Sequence, residues 1–355
     1  MARFRDIKTV VVHTTPWAGV TEVNCPLEAE SFEYSADDDA QIGRVDITKL
    51  SVNISINVQD PQKKRDIRNA VWNVRAFTAV AVSNLLNLVA HGFEAGDILR
   101  FFTTATLPAP LVANTDYYVI AAGLTADAFS VATTLAGSAV DITDTGTGTH
   151  TLGQKFGEVL SASVSESGEE ITDSADDDIW LKYLGMTKGK IEAEIEVRDL
   201  AQVLNAAKIS IGSLGTFQFD VMPENTASGF YHATAYERFI LYNMVIKGVG
   251  GSNKHGALAS STVSMIGYKA GGHDAEINNT TSDATPTGFE KHLGASGTIS
   301  FVAPSATGGS DATISISNCV LTKAEIKAQH GGRLERSFSF KAVSTDGQTS
   351  PLAIS

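Results

Sequence analysis

The sequence predicts a mainly β protein: two related β-sandwich or barrel domains, each with a short flanking α-helix, plus a small inserted all-β module. Three observations carry that prediction. Residues 35–60, SADDDAQIGRVDITKLSVNISINVQD, align without a gap on residues 174–199, SADDDIWLKYLGMTKGKIEAEIEVRD, at a constant offset of 139 with ten of 26 positions identical. Each copy carries the period of two that marks a half-buried strand. The 355 residues include 31 Gly and only 9 Pro, with abundant Ser, Thr, Val and Ile, a composition that favours strands and tight turns.

In the first copy Leu50, Val52, Ile54, Ile56 and Val58 alternate with Ser51, Asn53, Ser55 and Asn57. In the second, Ile191, Ala193, Ile195 and Val197 alternate with Lys190, Glu192, Glu194, Glu196 and Arg198. Each strand runs to an aspartate, Asp60 or Asp199, placed as a helix N-cap. Pro61 then suits a first helical position, and Ile67, Ala70, Val71 and Val74 share one helical face. Leu200, Val203, Leu204 and Ala207 do the same after Asp199. The repeated unit reads as an acidic loop, a strand and a short amphipathic helix.

A fainter echo lies downstream. Asn243 precedes His255-Gly256 by the spacing at which Asn318 precedes His330-Gly331, and both flanks read as strand, glycine-containing turn, strand. These pieces suggest a nested order. Residues 1–76 form the N-terminal half of a first domain, and 77–152 form an inserted β module. Residues 153–275 form a contiguous second domain, and 276–355 hold a linker and the C-terminal half of the first. The module is a run of short β segments with turns at Asp97, Pro108, Pro110, Asn114, Gly123, Gly137 and Gly146. The polar stretch 271–297 reads as an exposed linker.

Composition narrows the functional classes. A formal net charge of −13 argues against a protein that grips nucleic acid through its phosphates, but suits one past which nucleic acid must slide. No apolar run approaches the roughly 20 residues of a membrane span, and the start lacks a signal-peptide pattern, so a soluble, unprocessed chain is expected. Cys25 and Cys319 read as reduced structural thiols.

The acidic tripeptide Asp37, Asp38, Asp39, repeated as Asp176, Asp177, Asp178, is the best candidate for a metal site. It lacks the spaced carboxylates of a calcium loop and reads rather as a solvated turn or a contact to a neighbouring subunit. His91, His255 and His330 each precede Gly in a turn, and no nucleophile elbow or phosphate loop is present. No catalytic residue, metal site or cofactor is assigned, and the chain reads as a non-enzyme.

The C-terminal stretch NCVLTKAEIKAQHGGRLERSFSFKAVSTDGQTSP resembles the closing hairpin of major tail tube proteins of long-tailed bacteriophages. The SADDD loop, alternating strand and capped helix are similar to the first half of the same fold. The inserted stretch, with HGFEAGD, TTATLPAPL, DYYVI and GTGTHTL, resembles a small β module that recurs across phage structural proteins. The resemblance implies rings that stack into a hollow tail conducting double-stranded DNA without specific binding. It also implies partners in the tape measure protein, the tail terminator and baseplate or tip proteins. No membrane is involved; assembly would take place in the host bacterial cytoplasm and the product would lie in the virion. With two tube domains per chain, three chains rather than six would complete a ring, and the module would decorate the outer surface. Glu192, Glu194 and Glu196, with Ser51, Asn53, Ser55 and Asn57 as milder equivalents, are the candidate lumen-facing residues. The two aspartate tripeptides are the candidate inter-ring contact loops. The alternative is another tail structural, decoration or adhesion protein with glycan-binding β domains, although Trp17, Trp72 and Trp180 are scattered in the sequence.

Overall fold

The computed structural model describes residues 9–17, 19–34, 44–59, 65–175, 177–198, 211–223, 237–252, 260–267, 277–281, 293–303 and 310–355. Strands β1 (Val10–Val12), β2 (Thr15–Trp17), β3 (Val20–Asn24), β4 (Leu27–Tyr34), β5 (Arg44–Gln59) and β6 (Arg65–Ala76) open the chain. Next come β7 (Thr78–Val80), β8 (Leu85–Asn87), β9 (Ile98–Thr103), β10 (Tyr117–Ile120), β11 (Ala128–Ala132) and β12 (His150–Lys155). Then follow β13 (Val159–Asp173), β14 (Tyr183–Val197), β15 (Leu214–Pro223), β16 (Glu237–Ser252), β17 (Ser260–Gly267) and β18 (Ile277–Thr281). The last are β19 (Ser296–Ala303), β20 (Ala312–Gln329), β21 (Glu335–Ala342) and β22 (Leu352–Ile354). These strands link through antiparallel ladders into one extended sheet, and the described residues contain no α-helix.

Two sets of strands run the same path. One follows β2–β1–β19–β20–β21–β5, with β3 and β4 end to end on the outer edge of β5 and β22 beside β20. The other follows β12–β6–β15–β16–β17–β14–β13, with β18 beside β16. Register is shared as well as order. Ile56 faces Phe338 in the first set, and Ile195 faces Val263 in the second, shifted by 139 residues on one strand and 75 on the other. A register shift falls between Leu321 and Lys323 in one and between Ile246 and Gly248 in the other. A further bulge pairs Gly297 with Cys319 beside Asn318 at φ 50, and its counterpart pairs Gly215 with Met244 beside Asn243 at φ 52. Asparagine tolerates this left-handed conformation better than most side chains, which fits its use at both bulges. The sets join where β13 pairs with β20, from Ser161 opposite Gln329 to Ser167 opposite Lys323.

Three main apolar clusters are buried among the described residues. Val52, Ile54, Ile56, Ile299, Ile316, Leu321 and Phe338 belong to one. Trp72, Val164, Ile195, Phe217, Phe239, Val263 and Ile326 belong to the second. Phe77, Phe101, Tyr117, Phe129 and Leu152, within residues 77–152, belong to the third. The strand-bearing module sits between β6 and β12, where the equivalent β1 and β2 are joined by His13 and Thr14 alone.

Two expectations are corrected. The helix expected after Asp60 is strand β6 instead, and its Ile67, Ala70 and Trp72 join the second cluster. Asn69 and Asn73 hold φ 53 and 58, and register shifts interrupt both of its ladders. Such interruptions reset the in-out alternation, so the apolar positions mimic a helical spacing. Pairing on both edges by β12 and β15 satisfies the backbone as a strand. The polar stretch 271–297 contains strand β18, paired with β16, rather than only a linker. The expected helix bearing Leu200, Val203, Leu204 and Ala207 lies outside the described residues.

Candidate functional site

Strand alternation in β5 and β14 turns one face of each into a core and leaves the other polar. The ladders then unite the two polar faces. Opposed residues run Glu194, Ser163, Lys327, Glu335, Gln59 in one row across five strands. The next row runs Glu192, Ser165, Glu325, Ser337, Asn57, Glu22 across six. Residues opposed in a ladder share a face. The structure therefore brings Glu192, Glu194 and Glu196 onto the same sheet face as Ser51, Asn53, Ser55 and Asn57.

That face is charged but internally paired. Lys190 lies 3.2 Å from Glu192, Lys327 2.9 Å and Lys323 3.4 Å from Glu325, and Lys341 3.2 Å from Glu170. The hydrogen bond from Lys190, with the charges of Lys190 and Lys247, holds the Glu192 carboxyl below its usual range despite slight desolvation. For Glu325, desolvation pushes upward, but bonds and charges from Lys327 and Lys323 outweigh it and lower the pKa. The amides join in: Asn57 Nδ2 donates to Glu22 at 2.8 Å, Asn53 Nδ2 to Glu28 at 2.5 Å and Gln59 Nε2 to Glu335 at 3.0 Å. With these lysines committed to carboxylates and Glu194 and Glu196 added, the surface offers phosphate little purchase.

The acidic tripeptides fall differently. Asp37, Asp38, Asp39 and Asp176 lie outside the described residues. Asp177 is exposed, and its carbonyl accepts from Gln348 Nε2 at 2.5 Å. Asp178 is buried, its Oδ2 accepting the Ala175 N–H at 2.7 Å. The loop docks within the chain. Leu50 N–H donates to the Ile179 carbonyl, and the N–H groups of Ile179 and Trp180 donate to the Gly347 carbonyl, each at 2.8 Å. Lys49 Nζ donates to the Ser174 hydroxyl and, at 2.9 Å, to the Ala175 carbonyl. Asp346 shapes the receiving turn by accepting from the Thr349 N–H and hydroxyl, the Gln348 N–H and the Ser344 hydroxyl, which hold its carboxyl well below the usual range.

Sequence reasoning missed the residues that lock the two strand sets. Leu184 and Val320 form a small buried cluster with Leu181, with Met186 and Val343 packed against it. Arg336 of β21 donates from one Nη to both carboxylate oxygens of Glu237 of β16, at 2.5 and 2.6 Å, with both side chains buried. Only the Asp346-Gly347 turn left a signal in the sequence.

Other candidates are structurally absorbed. His91 stacks on Phe93 at 4.8 Å, and its Nδ1 accepts the Phe93 N–H at 2.8 Å. His330 pairs with Asp66 in a polar cleft of about 420 Å³, whose Arg68 also binds Asp66; Arg100 and Lys155 share Asp116. His255 lies outside the described residues. Trp72 is buried, while Trp17 and Trp180 pack against the first cluster. Burial pushes the Cys319 thiol up to about 12. Among the described residues no three His, Cys, Asp or Glu side chains gather as a metal site, and no helix is long and apolar enough to cross a membrane.

The class defined by this geometry is a mainly β, antiparallel protein with a broad polar sheet face. No known family model and no curated protein matches the chain.

Proposed function

We propose that this chain is a structural virion protein, the building block of a phage tail tube. In this reading the two strand sets are two tube domains fused in one polypeptide, and three chains close into a pseudo-hexameric ring. Rings stack into a hollow conduit for DNA ejection, and the module at 77–152 decorates the outside. The tape measure, terminator and baseplate or tip proteins would bind the tube, and no cofactor or membrane is required. The observation that carries the reading is the single polar face that spans both strand sets and includes Glu192, Glu194, Glu196, Ser51, Asn53, Ser55 and Asn57. A conduit wall for DNA calls for such a surface, hydrated and without a stripe of free cations. Passive passage also requires no catalytic group. Repeated topology gives further support, since rotationally related units are the natural material of a closed ring.

Negative-stain microscopy of the purified protein tests it. Threefold rings or tubes are expected, with a central channel. Dispersed monomers that bind glycans would instead favour an adhesion or decoration protein.

A further inference from the structure

The pairing of β13 with β20 is a contact between the two strand sets, and the shared topology defines its counterpart. The residue of the first set equivalent to β13 Ser163 is Asn24 of β3, and the residue of the second set equivalent to β20 Lys327 is Ser252 of β16. Among the described residues those two edges are open. Among the described residues no strand pairs with the outer edge of β3. On β16 the ladder with β15 starts at Val245, Ile246 bonds to the preceding loop through Gly212 and Ser213, and among the described residues no strand of that side pairs with 247–252. On β20 the same two bonds occur at Leu321, with Gly294 and Ala295, and β13 takes over from Lys323.

We infer that a second copy of this chain fills the gap: β3 of one molecule pairs antiparallel with β16 of the next, with Asn24 opposite Ser252 and Glu28 opposite Gly248. This rests on the ring reading and specifies its seam. Pro26 does not obstruct the pair. Its carbonyl accepts from the Asn53 N–H at 3.2 Å, so its backbone polar positions face β5, and the missing N–H is not one the outer edge would use.

Apolar exposure supplies an independent argument. In the second set Leu184 is 7% exposed, packed with Val320, and Met186 joins it. Their equivalents in the first set, Val45 and Ile47, are 55% and 66% exposed. The equivalent of Val320 is Val245, which stands beside the open edge of β16. Large aliphatic side chains standing in water at one copy of a site that is buried at the other copy mark a missing neighbour. That neighbour is Val245 of the adjoining molecule. Because β3 and β16 are different surfaces, the contact is head-to-tail, the kind that builds a ring when its rotation closes.

Two cysteines test the register. In a Cys25→Ala background, N24C with S252C faces two thiols across a non-hydrogen-bonded pair, where Cα atoms approach to about 4.5 Å, within disulfide range. Mild oxidation of assembled protein is expected to give a reducible ladder at multiples of the 37.5 kDa chain. N24C with G248C, four residues out of register, is expected to give none. Independently, I47D is expected to leave the melting temperature of the dissociated monomer unchanged and to raise the concentration for half-assembly at least about tenfold, the loss of one apolar contact of ~1.4 kcal/mol or more. Rings without the cross-link, or with the ladder in the displaced pair, overturn this seam and leave the ring reading standing. Cross-linked open filaments uphold the seam and overturn the ring. A chain that stays monomeric at all concentrations overturns both.

Discussion

The hairpin arm of β4 and β5 and that of β13 and β14 share a register, with Leu27 opposite Val52 in one and Glu166 opposite Ile191 in the other. Their surroundings differ. The second arm lies on the first strand set, burying Leu184 and docking its acidic loop on Leu50 and Gly347. The first arm projects, with every residue of β4 exposed and Phe32, Tyr34, Val45 and Ile47 in solvent. The same local fold is thus completed in one place and left unfinished in the other. Burial is a property of the neighbour as much as of the strand.

The completed seam also has a part that its open counterpart lacks. Arg336 and Glu237 hold it together, while the equivalent positions are Ser261 and Ala312. Removing that clamp should have the largest effect. Arg336→Ala removes both short bonds that this guanidinium makes to the buried Glu237 carboxylate and is expected to cost about 3–5 kcal/mol in urea unfolding. An R336A protein as stable as the parent would mean that the two sets need no such lock.

Gly347 comes next. It adopts φ +76, and a Cβ there would stand 1.8 Å from Asp178 Oδ1. Gly347→Ala is expected to cost about 1–3 kcal/mol and to release the acidic loop, seen as faster hydrogen exchange at Ile179 and Trp180. Protection unchanged at those amides would separate the loop from the turn.

Equivalent truncations sharpen the contrast. Leu184→Ala should cost about 2–3 kcal/mol in the monomer, and Val45→Ala less than about 0.5. Equal costs by thermal unfolding would show that the two arms are equally packed in a single chain.

The smallest effect is one of pH. Glu325 sits on the completed seam with its pKa below the usual 4.5, whereas its counterpart is Gly250. Because the folded-state value is depressed, its stabilisation is present above about pH 4.5 and lost as the pH falls through the lowered value. Glu325→Gln should flatten the stability–pH curve below pH 4.5 and leave its slope near neutrality unchanged. A parallel curve for the variant would remove Glu325 from the acid response.

Much of the strand content was legible in the sequence because alternation is local. The repeat at 35–60 and 174–199 falls on β5 and β14, whose bounds correspond almost residue for residue, and the echo at 243–256 and 318–331 marks the two closing hairpins. β6 was not legible, since Asn69 and Asn73 break its alternation into an apparent helical period. Nor did the sequence relate β1 to β6 or β19 to β15, where the shared path is kept by ladder geometry and glycine or asparagine bulges. On the candidate face, Glu192 and its neighbours could be named from alternation. Their union with Ser51, Asn53, Ser55 and Asn57 depended on β13 meeting β20.

By itself, then, the sequence determined which residues alternate, where turns fall and that one unit occurs twice, because these follow from side-chain order along a single strand. Tertiary structure decided which edge meets which, where the acidic loop rests and which aliphatic side chains stay in water. Those outcomes depend on hydrogen bonds and packing between segments far apart in the chain, such as Val10 against Phe301, and no local pattern encodes them.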